Sequence, residues 1–227
     1  MNSKTPTMVK PRILIADDHA MIAETLRMLL EPEFEIVGIV HDGRALVSQA
    51  MKLHPQVIVS DITMPLLNGM EALVQLRHTG NEAKFIFLTM HQDATWAARA
   101  FELGASGFVL KQSATSELLT AIHETLNGRT YVPPILARDV IQVFRGNGSP
   151  NSVGSGHRTA AGYELTPRQR EVLQLFAEGR SAKEVAQILK ISPRTAEFHK
   201  AGVMKSLGIH TVAELTRYAL RHGLITS

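Results

Sequence analysis

The feature that most constrains this chain is an alternation in its first half, where five short apolar runs are separated by helix-length amphipathic segments. The runs are Ile13-Leu14-Ile15-Ala16, Ile36-Val37-Gly38-Ile39-Val40, Val57-Ile58-Val59, Phe85-Ile86-Phe87-Leu88 and Gly107-Phe108-Val109-Leu110. Near-continuous apolar runs of this length read as strands buried on both faces. The segments near Met21–Leu30, Ala45–Leu53, Glu71–Arg77, Ala94–Leu103 and Ser116–Leu126 carry apolar residues at helical spacing. Buried strands alternating with helices require right-handed crossovers, so the expected fold is α/β, a doubly wound five-stranded parallel sheet. In such a sheet the functional edge lies at the C-terminal ends of the strands.

The second half follows a different pattern. A helix is expected over 134–144, and a flexible stretch over 146–162, rich in Gly, Ser, Asn and Thr. Beyond it the apolar spacing is purely helical, over Pro167–Glu178, Ala182–Leu189, Pro193–Leu207 and Val212–Arg221. The organisation expected is a domain over 11–131, a linker over 132–163, and a separate all-α four-helix domain over 164–227. Charge divides the same way. Up to Tyr131 the chain has 11 basic and 14 acidic residues, and from Val132 it has 13 and 7, a balance of −3 against +6. Polyanion binding is therefore expected of the C-terminal part. There are no cysteines, which excludes disulfides and thiolate metal sites. No apolar stretch approaches the roughly 20 residues of a membrane span, and Met1–Lys10 lacks the apolar run of a signal peptide, so a cytoplasmic location is expected, without membrane contact.

Chemistry-bearing residues stand at the expected strand ends. Asp17 and Asp18 follow the first run and Asp61 follows the third. Doubly wound topology brings these carboxylates together, where their repulsion calls for a cation, and hard oxygen ligands suit Mg²⁺. With such an ion, one carboxylate can attack a phosphoryl donor, and Asp61 is the candidate nucleophile. Thr89 ends the fourth run with a hydroxyl and Lys111 follows the fifth with an ammonium, both suited to phosphoryl oxygens.

These residues sit in Ile15-Ala16-Asp17-Asp18-His19, Asp61-Ile62-Thr63-Met64-Pro65-Leu66-Leu67-Asn68-Gly69, Phe87-Leu88-Thr89 and Gly104-Ala105-Ser106-Gly107-Phe108-Val109-Leu110-Lys111. Over about Arg12 to Gly128 the chain thereby resembles the receiver domain of two-component response regulators. The resemblance implies that Asp17, Asp18, Asp61 and the Thr63 carbonyl hold Mg²⁺. It implies that Asp61 accepts phosphate from a sensor histidine kinase, and that Thr89 and Lys111 bind that phosphate. Phe108 would be the aromatic that swings inward as Thr89 moves. Pro65 restricts the turn after Asp61, and Gly69 is expected to adopt a backbone conformation closed to other residues. Two departures stand out. Gln112 occupies a position where many receivers have proline, and Met90 follows Thr89 where relatives often have a smaller residue, which suggests hindered access to Asp61.

In the C-terminal part, Thr166-Pro167 and Ser192-Pro193 are helix starts, and Ser181 caps the helix between them. Two short helices joined by a tight turn form a helix-turn-helix, in which Pro193–Leu207 would enter the major groove of double-stranded DNA. Its polar side offers Arg194, Thr195, Glu197, His199, Lys200 and Lys205. Through Leu165-Thr166-Pro167-Arg168-Gln169-Arg170-Glu171-Val172-Leu173 and Ser192-Pro193-Arg194-Thr195-Ala196-Glu197-Phe198-His199-Lys200, the segment Leu165–Leu224 resembles the LuxR-type helix-turn-helix of the NarL/FixJ class. That likeness implies base-reading positions at Glu197, Phe198 and Ala201, and backbone contacts from Thr195, Lys200 and Lys205. Glu197 and Ala201 stand where some relatives have lysine. Gly202 suggests close packing or a bend within the helix. Leu215, Ala219 and Leu220 either form a dimer contact or close the bundle. The reading that follows is a transcription regulator in which an unphosphorylated receiver masks or misorients the DNA-binding helices, and phosphorylation promotes a homodimer on DNA. Two alternatives share the same pattern. One is a Mg²⁺-dependent phosphohydrolase, although Thr63 stands where such enzymes place a second carboxylate. The other is a DNA-binding protein indifferent to phosphate.

Overall fold

The computed structural model describes residues 9–90, 92–147 and 165–225. Its first part alternates β1 (Arg12–Ala16), α1 (Ala20–Leu30), β2 (Glu35–Val40), α2 (Gly43–Leu53), β3 (Val57–Asp61), α3 (Gly69–His78), β4 (Lys84–Thr89), α4 (Ala94–Glu102), β5 (Gly107–Leu110) and α5 (Ala114–Leu126). The strands form one parallel sheet in the order β2-β1-β3-β4-β5. β1 and β3 are thus neighbours where the winding reverses, the crevice in which such sheets bind ligands.

Strand residues alternate between two apolar layers. Leu14, Ile58, Phe85, Phe87 and Phe108 face one layer, packed with residues of α2, α3 and α4. Ile13, Ile15, Val57, Val59, Ile86, Leu88 and Val109 face the other, packed with residues of α1 and α5. Each fully buried side chain of this size contributes about 1.5–3 kcal/mol, so the two layers fix the strand register and with it the strand ends. α2 and α3 start slightly upstream of their expected positions because polar caps precede the apolar pattern. The Asp42 carboxylate accepts from Ala45 N and the Asn68 side-chain Oδ1 accepts from Glu71 N.

The helix expected at 134–144 is α6 (Pro134–Asn147), whose Leu136 and Val140 join the layer beside α4. It runs into the first residues of the stretch expected to be flexible; 148–162 lies outside the described residues. The C-terminal part comprises α7 (Pro167–Ala177), α8 (Ala182–Leu189), α9 (Pro193–Leu207) and α10 (Val212–Arg221) around a third apolar cluster. Thr166, Ser181 and Thr211 each form a reciprocal capping box, and Ser192 caps α9 through Thr195 N. Leu215 and Ala219 are buried in this cluster and close the bundle, which leaves Leu220 and Val212 exposed on α10. Gly202 is not required by packing, since a Cβ there meets nothing within 4 Å.

Candidate functional site: an acidic pocket and an exposed helix

Parallel pairing sets Ala16 beside Ser60, and the next residues, Asp17 and Asp61, meet across the β1–β3 crevice. Asp61 is the last residue of β3 rather than the first after it. One oxygen of Asp61, Oδ1, accepts from Ile62 N at 2.6 Å and Thr63 N at 3.4 Å. The other, Oδ2, lies 2.6 Å from the Lys111 ammonium, which also stands 2.7 Å from Asp17 Oδ2. Lys111 begins a single turn of 3₁₀ helix directly after β5, and this carries its side chain over the strand ends. Asp17, Asp61 and Thr89 are buried.

Ligand atoms of Asp17, Asp18, His19 and Asp61 all lie within 4.8 Å of one another. Two of the three carboxylates, Asp17 and Asp61, share the Lys111 ammonium, so among the described residues the cluster has more carboxylates than lysine or arginine partners. Burial pushes the Asp61 carboxyl above its ordinary range, aided by repulsion from Asp17 and opposed by Lys111. Burial alone would lower Lys111, but the two facing carboxylates outweigh it and hold its ammonium above the usual lysine value. A hard divalent cation suits this donor set because it relieves the repulsion.

The structure brings together Asp17, Asp18, Asp61, Thr63 and Lys111, sets Thr89 at the end of β4 on the same edge of the sheet, and adds two histidines that sequence reasoning had not assigned. His19 Nδ1 lies 2.8 Å from Asp18 Oδ1, and His41 Nδ1 lies 2.8 Å from the Asp17 carbonyl oxygen. Adjacency to the acid pair marked His19; nothing local marked His41. Gly69 has a reason different from the expected one. Its backbone does not lie in the left-handed region, which is occupied by Leu66 with φ of 67°. A Cβ on Gly69 would instead stand 2.2 Å from the Asp61 carbonyl oxygen, so the residue is required by close approach. Met90, expected to hinder access to Asp61, is 72% exposed. Phe108 is fully buried in the layer beside α4, already facing inward.

On α9, Arg194, Glu197, Phe198, Ala201 and Lys205 recur at helical spacing and are all exposed, Phe198 by 75%. Thr195, His199 and Lys200 are half-buried at the margin of this face. Lys200 lies 4.7 Å from the Phe176 ring centroid and 3.7 Å from Glu197, which anchors its stem against α7. Of the two expectations, that the receiver masks or misorients this helix, masking is not seen: the reading face is open.

Comparison with known proteins agrees with both halves. Residues 13–123 match the response regulator receiver domain, and 163–219 match the bacterial regulatory proteins of the luxR family. The transcriptional regulatory protein MctR of Rhizobium johnstonii is 33% identical over 220 residues, covering 96% of each chain. The oxygen regulatory protein NreC of Staphylococcus aureus is 32% identical over 94% of this chain and 99% of its own. A solved structure of the RcsB response regulator of Salmonella typhimurium, 26% identical, covers 96% of this chain and all of its own with a TM-score of 0.61. A structure of an RcsB–DNA complex, also 26% identical, covers 96% of this chain and 100% of that one with a TM-score of 0.56. The fold and site define a receiver joined to a helix-turn-helix. The chain belongs to the response regulators with a LuxR-type DNA-binding domain.

Proposed function

We propose that this chain is a transcription regulator whose binding to double-stranded DNA is controlled by phosphorylation of Asp61. The observation that carries the reading is the buried Lys111 ammonium held at 2.6 and 2.7 Å between Asp61 and Asp17, beside an excess of carboxylates. Asp17, Asp18, Asp61 and the Thr63 carbonyl would hold Mg²⁺, which when bound supplies charge neutralisation for the nucleophile and the incoming phosphoryl group. A carboxylate oxygen of Asp61 forms the bond to phosphorus as the phosphorus–nitrogen bond of a kinase phosphohistidine breaks and the imidazole leaves with the electron pair. The backbone N–H groups of Ile62 and Thr63 keep the carboxylate oriented, while Lys111 and the Thr89 hydroxyl take up negative charge on the transferred oxygens. The chain thus promotes transfer to itself, and later slow loss of the phosphate, rather than turnover of a separate substrate.

Phe108 would follow Thr89 on phosphorylation, and exposed Leu220 and Val212 on α10 are candidates for contact in a homodimer. The open face of α9 fits the major groove, with Glu197, Phe198 and Ala201 towards base edges. Arg194, Thr195, His199, Lys200 and Lys205 lie towards the backbone. A receiver over 11–131, a linker over 132–163 and a DNA-binding domain over 164–227 accord with this division of labour. A cytoplasmic location, where DNA and kinase catalytic domains meet, goes with it. No helix among the described residues is long and apolar enough to cross a membrane.

Incubation with acetyl phosphate and Mg²⁺ tests the chemistry. Wild-type protein should acquire a hydroxylamine-labile phosphoryl label and Asp61→Asn none. Equal labelling of the two would exclude Asp61 as the acceptor.

A further inference from the structure

The polar contacts between the two domains gather on α7 and on the loop that leaves Asp61. Gln174 is fully buried on α7, with all its hydrogen-bonding capacity towards that loop and its own helix. Its Oε1 accepts from Asn68 N at 2.9 Å, and its Nε2 donates to the Met64 carbonyl and to Glu178 Oε1, each at 2.8 Å. Glu178 Oε1 in turn accepts from Leu66 N at 3.0 Å. Leu66, in its left-handed conformation, packs against the helix-turn-helix core. Three backbone groups between Met64 and Asn68 are thus held from the DNA-binding domain.

The same loop is braced at its other end by the pocket. Ile62 N and Thr63 N hold Asp61 Oδ1, Gly69 N donates to the Ile62 carbonyl at 2.7 Å, and the next residue, Met64, bears the Gln174 amide. Six residues lie between the phosphoacceptor and the capping residue Asn68, with contacts at both ends, so a change in the charge and shape of the Asp61 carboxylate cannot be absorbed by slack. Flanking ion pairs align the two surfaces: Arg170 with Glu71 on α3, and Glu171 with Arg44 and, through Gln75, with α3. At a second point, Gly223 after α10 meets Trp96 on α4 so closely that a Cβ there would stand 2.4 Å from the indole Cη2.

We propose that α7 is a sensor of the phosphoacceptor, in which Gln174 and Glu178 latch the 62–68 loop and loading of the acidic pocket releases the latch. The proposal rests on the phosphorylation reading above and specifies how it is regulated. The latch leaves the reading face of α9 open, so it acts by fixing the orientation of the DNA-binding domain and not by covering it. Reciprocity follows from thermodynamics: if pocket loading weakens the latch, loss of the latch must strengthen loading by the same factor.

Trp96 is the chain's single tryptophan and reports on the contact with Gly223. The experiment titrates beryllofluoride with saturating Mg²⁺ into the full chain, following acrylamide quenching of Trp96 and, in parallel, DNA binding by mobility shift. Wild type should become more quenchable as the pocket fills. A Gln174→Ala/Glu178→Ala variant should start in the quenchable state and reach half-saturation at an about five-fold lower beryllofluoride concentration, the equivalent of roughly one hydrogen bond. Gly223→Ala, which pries the domains apart from the other contact, should shift the same two readouts in the same direction without touching the loop. Wild-type starting values and half-saturation in both variants would overturn the latch. Were beryllofluoride to tighten wild-type DNA binding in that case, the phosphorylation reading would stand without the latch. No effect of beryllofluoride on wild-type DNA binding would remove both.

Discussion

The acidic pocket and the seam between the domains are made of the same materials, buried carboxylates facing basic side chains, yet they are balanced differently. In the pocket, Asp17 and Asp61 share the ammonium of Lys111, and Asp18 beside them faces only His19 among the described residues. In the seam, Glu71 is matched by Arg170, and Glu171 by Arg44 and Arg168 together with the Gln75 amide. An unbalanced cluster is held at an energetic cost and gains from a cation; a balanced one has little net charge to neutralise and serves to position surfaces. Charge excess, more than burial, separates the place where chemistry happens from the place where it is communicated.

Altering the balance in the pocket should have the largest effect. Lys111→Met leaves Asp17 and Asp61 facing each other uncompensated, and thermal unfolding of the receiver should show a loss of about 3 kcal/mol without divalent cations. Addition of Mg²⁺ should recover most of it, because the cation replaces the missing charge. A loss that Mg²⁺ does not recover would mean that Lys111 acts through packing alone.

In the seam the same logic predicts a smaller, pairwise effect. A double-mutant cycle of Glu71→Gln and Arg170→Gln should return a coupling of about 1–2 kcal/mol, and Mg²⁺ should not change it. Coupling indistinguishable from zero would show the pair to be solvated, like an ordinary surface ion pair.

Smallest is a dependence on pH. Burial raises the carboxyls of Glu71 and Glu178 above their ordinary range, against the opposing pull of Arg170 on the first and of Gln174 and Leu66 N on the second. The closed arrangement therefore binds protons more readily than an open one. Its relative stability is fully present below the ordinary carboxylate pKa and is lost as pH rises through the raised values. Trp96 in unloaded protein should be less quenchable at the acid end of that window, and the trend should flatten in Glu71→Gln/Glu178→Gln. A trend of opposite sign would contradict the direction of both shifts.

The pocket was legible in sequence because each of its residues is tied to a strand end. Once Ile13–Ala16, Val57–Val59, Phe85–Leu88 and Gly107–Leu110 read as buried strands, the topology alone gathered Asp17, Asp61, Thr89 and Lys111. Local steric facts were less visible. Gly69 read as a conformational requirement but is a contact with the Asp61 carbonyl, while the left-handed residue is Leu66, whose side chain gives no local sign of it. The seam was not legible at all. Gln75 and Glu171 are 96 residues apart, Arg44 and Glu171 are 127 apart, and Glu171 and Gln174 look like the solvent side of an amphipathic helix until a second domain covers them. Hydrophobic period reports which face of a helix is inside its own domain and carries no information about polar faces that meet later. Nor did sequence decide between a receiver that masks α9 and one that misorients it; the receiver meets α7 and leaves the face of α9 open.

In the proposed mechanism the state of Asp61 sets DNA binding. Mobility-shift titrations of genomic promoter fragments, with and without Mg²⁺ plus beryllofluoride and at one fixed salt concentration, test it directly in wild type and Asp61→Ala. Binding should tighten on loading in wild type and not respond in Asp61→Ala; identical binding in all four conditions would show DNA binding to be independent of Asp61.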